Sequence, residues 1–444
     1  MTTSDLIIIG AGPGGYRAAE YAAKNGLHVT IFENSHVGGT CLNEGCIPTK
    51  SFARNAEIVQ TLKEAETFGL NGEGYALDFK KVVERKNQVL ENLRAGIETL
   101  LSHPNIALVR DRAEFVDAHT VKDSHDETYT AQNIIVATGS VSKLLRLEEW
   151  DPEAARDSEF MLRNDALPHS LCIVGAGVIG MEFASIFNSF GVEVTVVEFL
   201  KECLPALDSD IAKRLRKVLE KRGVTFYMQS AVKAITREGV TFERKGKRQT
   251  IEADEVLLAV GRAPRVSDDF AHAGFEYDNR KGITVDDNMQ TTAEGIYAIG
   301  DVNGRQMLAH AAEMQGIHAV NCMLGRKDQI RLDIMPAAIF TNPEAGCVGL
   351  TEDQCKEQGI SYTCHKSFYR ANGKALAMNE SEGMLKLLAD AEGRIIGCHV
   401  FGAHAADLAQ EASVLMCKDT TLHELSQMVH IHPTLSEILL AAAE

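Results

Sequence analysis

Two cysteines separated by four residues, Cys41 and Cys46, stand in the run Gly38-Gly-Thr-Cys-Leu-Asn-Glu-Gly-Cys-Ile-Pro-Thr-Lys50. Such a pair can hold zinc, form a structural bridge, lie buried as two unrelated thiols, or make and break a disulfide. Zinc would want two further ligands at similar spacing, and none is nearby. A structural bridge is disfavoured in a reducing compartment. Five residues of helix rise by roughly 7.5 Å, whereas bridged Cα atoms sit about 5.5–6 Å apart. A Cys41–Cys46 bridge therefore needs distorted backbone, which Gly38, Gly39 and Gly45 can supply. Strained, accessible disulfides are the ones that turn over, and beside a redox cofactor the pair becomes a two-electron relay. Near the other end stands His430-Ile-His432-Pro-Thr434-Leu-Ser-Glu437. A carboxylate that orients an imidazole could move protons to and from thiols. Equally, Pro433 can begin a helix and Thr434-x-x-Glu437 is a capping-box pattern, which makes Glu437 structural. Spacing alone leaves both readings open.

The elements that must position these groups come from an internal repeat. Asp5-Leu-Ile-Ile-Ile-Gly-Ala-Gly-Pro-Gly-Gly, running on to Val29-Thr-Ile-Phe-Glu33, resembles Leu171-Cys-Ile-Val-Gly-Ala-Gly-Val-Ile-Gly, running on to Val194-Thr-Val-Val-Glu198. Each reads as strand, glycine turn, helix, and a second strand ending in Glu. The glycines are Gly10, Gly12 and Gly15 in one copy, and Gly175, Gly177 and Gly180 in the other. The first permits a tight turn, the second lets a pyrophosphate approach the backbone, and the third lets helix and strand pack closely. The phosphates then lie at a helix N-terminus, and the Glu, 23 residues beyond the first glycine in both copies, can hold ribose hydroxyls. Three more apolar runs end in glycine turns, at Gly139, Gly261 and Gly300-Asp301. Ligands in open α/β sheets gather at such strand ends. Asp301 there could hold a polyol, or could simply be a turn residue.

The fold class expected is α/β, with two Rossmann-like dinucleotide-binding domains and a C-terminal α+β domain. The boundaries expected are 1–147 for the first nucleotide domain, 148–260 for the second, 261–331 for the resumption of the first, and 332–444 for the last. A formal charge of -17 argues against nucleic acid and against an anionic membrane surface. No apolar run is long enough to span a bilayer, and the first residues do not read as a signal peptide. A cytoplasmic location is expected, or a compartment whose targeting segment is not in this sequence. Most of the ten cysteines should then be buried thiols, among them Cys172, Cys322, Cys347, Cys398 and Cys417. No metal site is expected.

With these motifs assembled, the chain from about Asp5 to Glu437 resembles the FAD-containing pyridine-nucleotide–disulfide oxidoreductases, most specifically in Gly38–Lys50 and His432-Pro-Thr-x-x-Glu437. The resemblance implies that the first glycine motif binds FAD and the second NAD. Glu33, Thr40, Lys50, Ala113, Thr138, Gly139, Ser140, Asp301, Met307, Leu308, Ala309 and His310 would complete the FAD site. Val178, Ile179, Glu182, Glu198, Val232 and Gly261 would complete the NAD site, with Lys50 paired to Glu182. Cys46 would face the flavin and Cys41 would exchange with substrate. His432 and Glu437 would be the acid–base pair, reaching the other subunit's cysteines across a homodimer built by the last domain. Glu198 suits an unphosphorylated ribose, and Phe199-Leu200 offers no Arg pair for a 2′-phosphate. Within the family this points to oxidation of a dihydrolipoyl group on a lipoylated partner, in a 2-oxoacid dehydrogenase or glycine cleavage complex, with NAD+ as acceptor. The alternatives are an NAD(P)H-dependent reductase of another small disulfide or metal, and a flavoprotein that serves mainly as a structural subunit. Ala113, where the family often has Gly, and Thr49, where it has Ser, depart from the pattern.

Overall fold

A computed structural model describes residues 2–72 and 74–444. The chain forms two compact units, and the segments of each are interleaved in sequence. The first comprises residues 1–51, 83–143 and 261–332; the second comprises 52–82, 144–260 and 333–444.

The first unit is organised by Thr2–Ile9, whose Leu6, Ile7 and Ile8 are wholly buried. Apolar residues on both faces are what a central parallel strand requires. It pairs in parallel with Val29–Phe32 on one side and Thr128–Val136 on the other. Ile106–Val109 extends the first edge, and Ile296–Ala298 lies beside Thr128–Val136. An antiparallel pair, Glu114–Asp117 with Thr120–Lys122, completes the sheet. The helix Pro13–Lys24 buries only Gly and Ala on its inner face. That permits close approach of the helix Ala309–Met323: a Cβ on Gly316 would lie 2.9 Å from the Gly14 carbonyl oxygen.

The second unit holds three sheets. One is parallel, in the order Thr225–Tyr227, Glu193–Val197, Ser170–Val174, Glu255–Leu258. A second is the meander Ala231–Thr236, Gly239–Arg244, Lys247–Ile251, with Glu149–Trp150 added alongside. The third is a five-stranded antiparallel sheet from Ala337 to Gly402, covered by the helices Ala405–Met416 and Glu437–Ala443. Residues 52–82 join this unit through an aromatic cluster in which Phe79 meets Phe52, Phe187 and Phe190.

A charged cluster sits in the interior of this unit. Lys386, in the strand Met384–Ala389, is 1% exposed and donates to Asp208 Oδ1 and Glu352 Oε2, both at 2.7 Å. His399, on the adjacent strand, accepts from the Asp208 N–H. The hydrogen bond from Lys386, helped by Lys356, holds the Glu352 carboxyl down at about 2. Because this pKa is depressed when folded, its stabilisation is present above the normal value of 4.5 and fades as pH falls towards 2. Lys386→Ala leaves two carboxylates without their buried partner and should cost about 3 kcal/mol. Urea unfolding at neutral pH measures this, and the variant should also lose part of the acid dependence.

Cys172, Cys347 and Cys398 are buried as expected, whereas Cys417 is exposed and Cys322 only half-buried. Cys417 caps the helix Ala405–Met416 beyond its packed face, and Cys322 lies in the last turn of Ala309–Met323. An apolar neighbourhood in sequence did not reveal that either helix ends there. Among the described residues no helix is long and apolar enough to cross a membrane.

Candidate active site

The two glycine turns have nearly identical geometry. Gly10 has φ +107° and Gly175 φ +105°, and a Cβ on either would lie within 2.5 Å of a carbonyl oxygen, Ala137 or Ala259. A Cβ on Gly15 would reach 1.9 Å from the Gly10 oxygen, and one on Gly180 would reach 2.0 Å from the Gly175 oxygen. The middle glycines differ: Gly12 has its nearest neighbour at 3.9 Å, and Gly177 has nothing within 4 Å. Each middle glycine is the N-cap of its helix, Pro13–Lys24 or Val178–Ser189. Neither helix has a side-chain cap or an acid in its first turn. An open cradle over a positive helix end fits a pyrophosphate. Gly180→Ala should therefore destabilise the second unit by about 2 kcal/mol or more and weaken nicotinamide-nucleotide binding, measured by chemical unfolding and by NADH titration.

The acids repeat as well. Glu33 accepts from the Ala11 N–H at 3.0 Å and the Ser35 N–H at 2.9 Å. Glu198 accepts from Ala176 and from Leu200, the latter at 2.7 Å. Each carboxylate thereby ties the end of its strand to its glycine turn. Val178 opens the second helix 43% exposed, and Ile179 follows it. Val232 sits at a register shift of its strand. Glu182 is 3% exposed and accepts from the Phe340 N–H. Gly261, with φ +99°, belongs to the first unit and not to the one carrying Gly175 and Glu198.

The cysteine segment is pressed onto the first glycine turn. The Gly38 N–H donates to the Ala11 carbonyl at 2.8 Å, and a Cβ on Gly39 would lie 2.7 Å from the Gly12 Cα. Gly38 and Gly39 both have positive φ. Thr40 and Cys41 then lie in the helix Gly39–Glu44, which stops at Gly45, and Cys46 starts the helix Cys46–Lys63. This interruption is the distorted backbone that the spacing required. Thr49 Oγ1 donates to the Gly45 carbonyl at 2.6 Å, so Thr in place of Ser still serves the break. Asn43 donates to the Val37 and Gly39 carbonyls and accepts from Arg94.

Among the described residues there is no disulfide, and Cys41 and Cys46 lie together as half-buried thiols. The hydrogen bond with Cys46 drives the Cys41 thiol far up, burial and the Cys46 charge add to this, and Lys50 opposes it. The two sulfurs are thus coupled, and the Cys41 proton is the hard one to remove. Two residues near it went unnoticed in sequence. Tyr16 is pushed up to about 12 by burial, by Glu313 and by Cys41. Burial raises the Glu313 carboxyl, which Arg17 and His310 oppose. They come from two different helices, so no local motif marks them.

Elsewhere in the first unit, Thr138 Oγ1 donates to the Arg265 carbonyl, and the Gly139 carbonyl accepts from the Arg265 N–H. Ser140 donates to Asp301, and Arg262 Nε donates to Ser140 at 2.7 Å. Asp301 thus lies in the turn Gly300–Asn303 as part of a polar chain. Met307 and Leu308 lead into the helix that Ala309 and His310 open, and Met307 is 36% exposed. Ala113 packs in the core with Ile7, Ile9 and Phe32, so its side chain is committed to packing.

In the second unit the helix begins at Glu437 and not at Pro433. Leu435, Ile438 and Leu439 enter the core, while His432 remains outside with its side chain 79% exposed. His432 Nδ1 donates to Glu437 Oε1, and the Thr434 N–H donates to Glu437 Oε2, both at 2.8 Å. Glu437 therefore does both jobs that the spacing left open. Those two hydrogen bonds, Thr434 first, hold its carboxyl below the usual range. With Nδ1 so occupied, Nε2 of His432 is the proton-accepting atom. Its near neighbour His430 turns inward, 7% exposed, towards Glu411.

Residues 4–316 match the family described as pyridine nucleotide-disulphide oxidoreductase, and residues 335–443 match the dimerisation domain of the same family. The dihydrolipoyl dehydrogenase of Corynebacterium glutamicum is 39% identical, across 99% of this chain and 97% of the relative. The dihydrolipoyl dehydrogenase of Geobacillus stearothermophilus is 37% identical over 99% and 96%. Among solved structures, LpdA from Mycobacterium tuberculosis superposes with a TM-score of 0.90 at 28% identity, covering 100% of this chain and 99% of that one. The HOCl-induced flavoprotein disulfide reductase RclA from Escherichia coli gives 0.88 at 28% identity, covering 99% of both chains.

Proposed function

The chain belongs to the pyridine nucleotide-disulphide oxidoreductase family, and we propose that it works as an FAD-dependent dihydrolipoyl dehydrogenase with NAD+ as acceptor. The observation that carries this is the Cys41–Cys46 pair, folded against the Gly12 cradle and hydrogen-bonded sulfur to sulfur. Gly10, Gly12, Gly15, Glu33, Thr40, Lys50, Thr138, Gly139, Ser140, Asp301 and Met307–His310 would hold FAD, with Ala113 contributing only backbone. Gly175, Gly177, Val178, Ile179, Gly180, Glu182, Glu198 and Val232 would serve NAD. When bound, FAD would supply an electron-pair acceptor beside the cysteines and NAD+ a hydride acceptor.

The chain's own residues carry the thiol chemistry. Starting from the Cys41–Cys46 disulfide, one thiol of the dihydrolipoyl group loses its proton to His432 Nε2 of a partner copy. The resulting thiolate attacks the Cys41 sulfur, the bridge breaks, and Cys46 departs as thiolate. The second substrate thiol attacks the substrate sulfur now bound to Cys41, its proton passing to Cys41 as that sulfur leaves, while His432 keeps the first proton. The substrate leaves as a disulfide, and Cys41 leaves protonated against Cys46. The hydrogen bond between Cys41 and Cys46 suits this reduced pair. Glu437 occupies Nδ1–H of His432, which leaves Nε2 as the working atom. The exposed Met428, Val429 and Ile431 beside His432 suit burial by a second copy, in keeping with the dimerisation domain. The dihydrolipoyl group would be carried by a lipoylated protein of a 2-oxoacid dehydrogenase or glycine cleavage complex.

The test is anaerobic mixing of the yellow protein with dihydrolipoamide and then NAD+. NADH should form stoichiometrically and then catalytically. Inert dihydrolipoamide, with NADPH-driven reduction of another small disulfide, would transfer the same cysteines to the reductase reading that the RclA likeness represents.

A further inference from the structure

A second thiol stands in a catalytic-type setting at the far end of the helix Ala309–Met323. Cys322 Sγ lies 3.8 Å from His318 Nε2, one helical turn back. His318 Nδ1 faces both oxygens of Asp328, at 3.0 and 2.9 Å. Nδ1 therefore carries the hydrogen and Nε2 presents its lone pair to the sulfur. The carboxylate is itself fixed: Asn321 Nδ2 donates to it at 2.9 Å and the Ile330 N–H at 3.2 Å. Tyr21 in turn donates to Asn321. Burial alone would raise the Asp328 carboxyl, but the hydrogen bonds from Asn321 and His318 outweigh it and hold it low. His318 and Asp328 are only 20% and 15% exposed, while Cys322 keeps partial access to solvent. Nucleophile, base and orienting carboxylate in this order are the arrangement that activates a thiol. The site lies 12 residues along the helix from His310, roughly 18 Å, and plays no part in the chemistry of Cys41 and Cys46.

We propose that Cys322, with His318 as its base and Asp328 orienting that base, is a second thiol–disulfide exchange site that takes small neutral or cationic disulfides. Burial, then Asp328 and Asp286, keep the Cys322 thiol protonated at rest, so its reactivity depends on a base at hand. The same two carboxylates disfavour an anionic reagent, and partial burial excludes a large one. In the reaction the thiol proton passes to His318 Nε2 and Cys322 Sγ attacks one sulfur of the incoming disulfide. That S–S bond breaks, and the departing thiolate takes the proton from His318. One mixed disulfide and one free thiol result, with the incoming disulfide as the only oxidant.

The holoenzyme should be incubated with cystamine or with oxidised glutathione, and thiol modification followed by peptide mass mapping. Cystamine should modify Cys322 faster than the more exposed Cys417, and faster than glutathione disulfide modifies Cys322. His318→Gln should slow Cys322 by ~10-fold or more while the Cys417 rate and dihydrolipoamide oxidation stay unchanged. Asp328→Asn should act in the same direction and carries the test should the His318 variant fail to fold. Slower modification of Cys322 than of Cys417, or an unchanged Cys322 rate in a folded His318 or Asp328 variant, would overturn the proposal.

Discussion

Cys46→Ser should abolish dihydrolipoamide oxidation, by ~10⁴-fold or more, the scale on which enzymes lose a covalent nucleophile, while the protein stays folded and yellow. The folded state should tolerate the change because Cys46 is half-buried and opens a helix, where a hydroxyl is well placed. The cradle proposed for FAD rests on Gly10, Gly12, Gly15 and Glu33, none of which depends on sulfur. What disappears is the leaving group of the first exchange, since serine cannot close or reopen a bridge with Cys41. A stopped-flow and steady-state assay with bound FAD quantified decides it. Turnover near the parent rate would end the relay account, and loss of FAD together with activity would place Cys46 in the scaffold instead.

His432→Gln should lower the dithiol reaction by ~10³-fold, about 4 kcal/mol in barrier, with almost no effect on unfolding. The expectation follows from two numbers: His432 is 79% exposed, and its partner Glu437 only 25%. Within its own chain so exposed a side chain contributes little to stability, so a large kinetic effect cannot come from a weakened fold of that chain. Glu437→Gln differs, because it also weakens the hydrogen bond from the Thr434 N–H. It should show a smaller kinetic loss and a measurable drop in melting temperature. The two variants thus separate the base from its support. Equal, small effects in both would leave only the cap.

The doubly nucleotide-binding architecture was legible because its signals are steric and local. Ile7-Ile8-Ile9 can only be a strand buried on both faces, and a Cβ on Gly15 or Gly180 cannot coexist with the carbonyl beneath it. The interruption between Cys41 and Cys46 was legible for the same reason, as a length mismatch. Other features depend on which distant residues meet. Lys386 sits in an apolar strand pattern that hides a buried charge with two acids, Asp208 fully buried and Glu352 partly so. Tyr16 and Glu313 converge only because glycine and alanine let two helices touch. The capping-box spacing at Thr434 was real but one turn early as a helix start, since Glu437 spends one oxygen on the Thr434 amide and the other on His432.

The two strand-end acids have a consequence for how cofactor preference can change. Glu198 uses both of its oxygens to latch Ala176 and Leu200, as Glu33 latches Ala11 and Ser35. A lineage or a designer seeking to admit a 2′-phosphate by removing that charge would also unfasten the turn that meets the diphosphate. Selectivity and loop rigidity are inherited together here, so a switch to the phosphorylated coenzyme calls for at least two coordinated substitutions, one to welcome the phosphate and one to re-anchor the backbone.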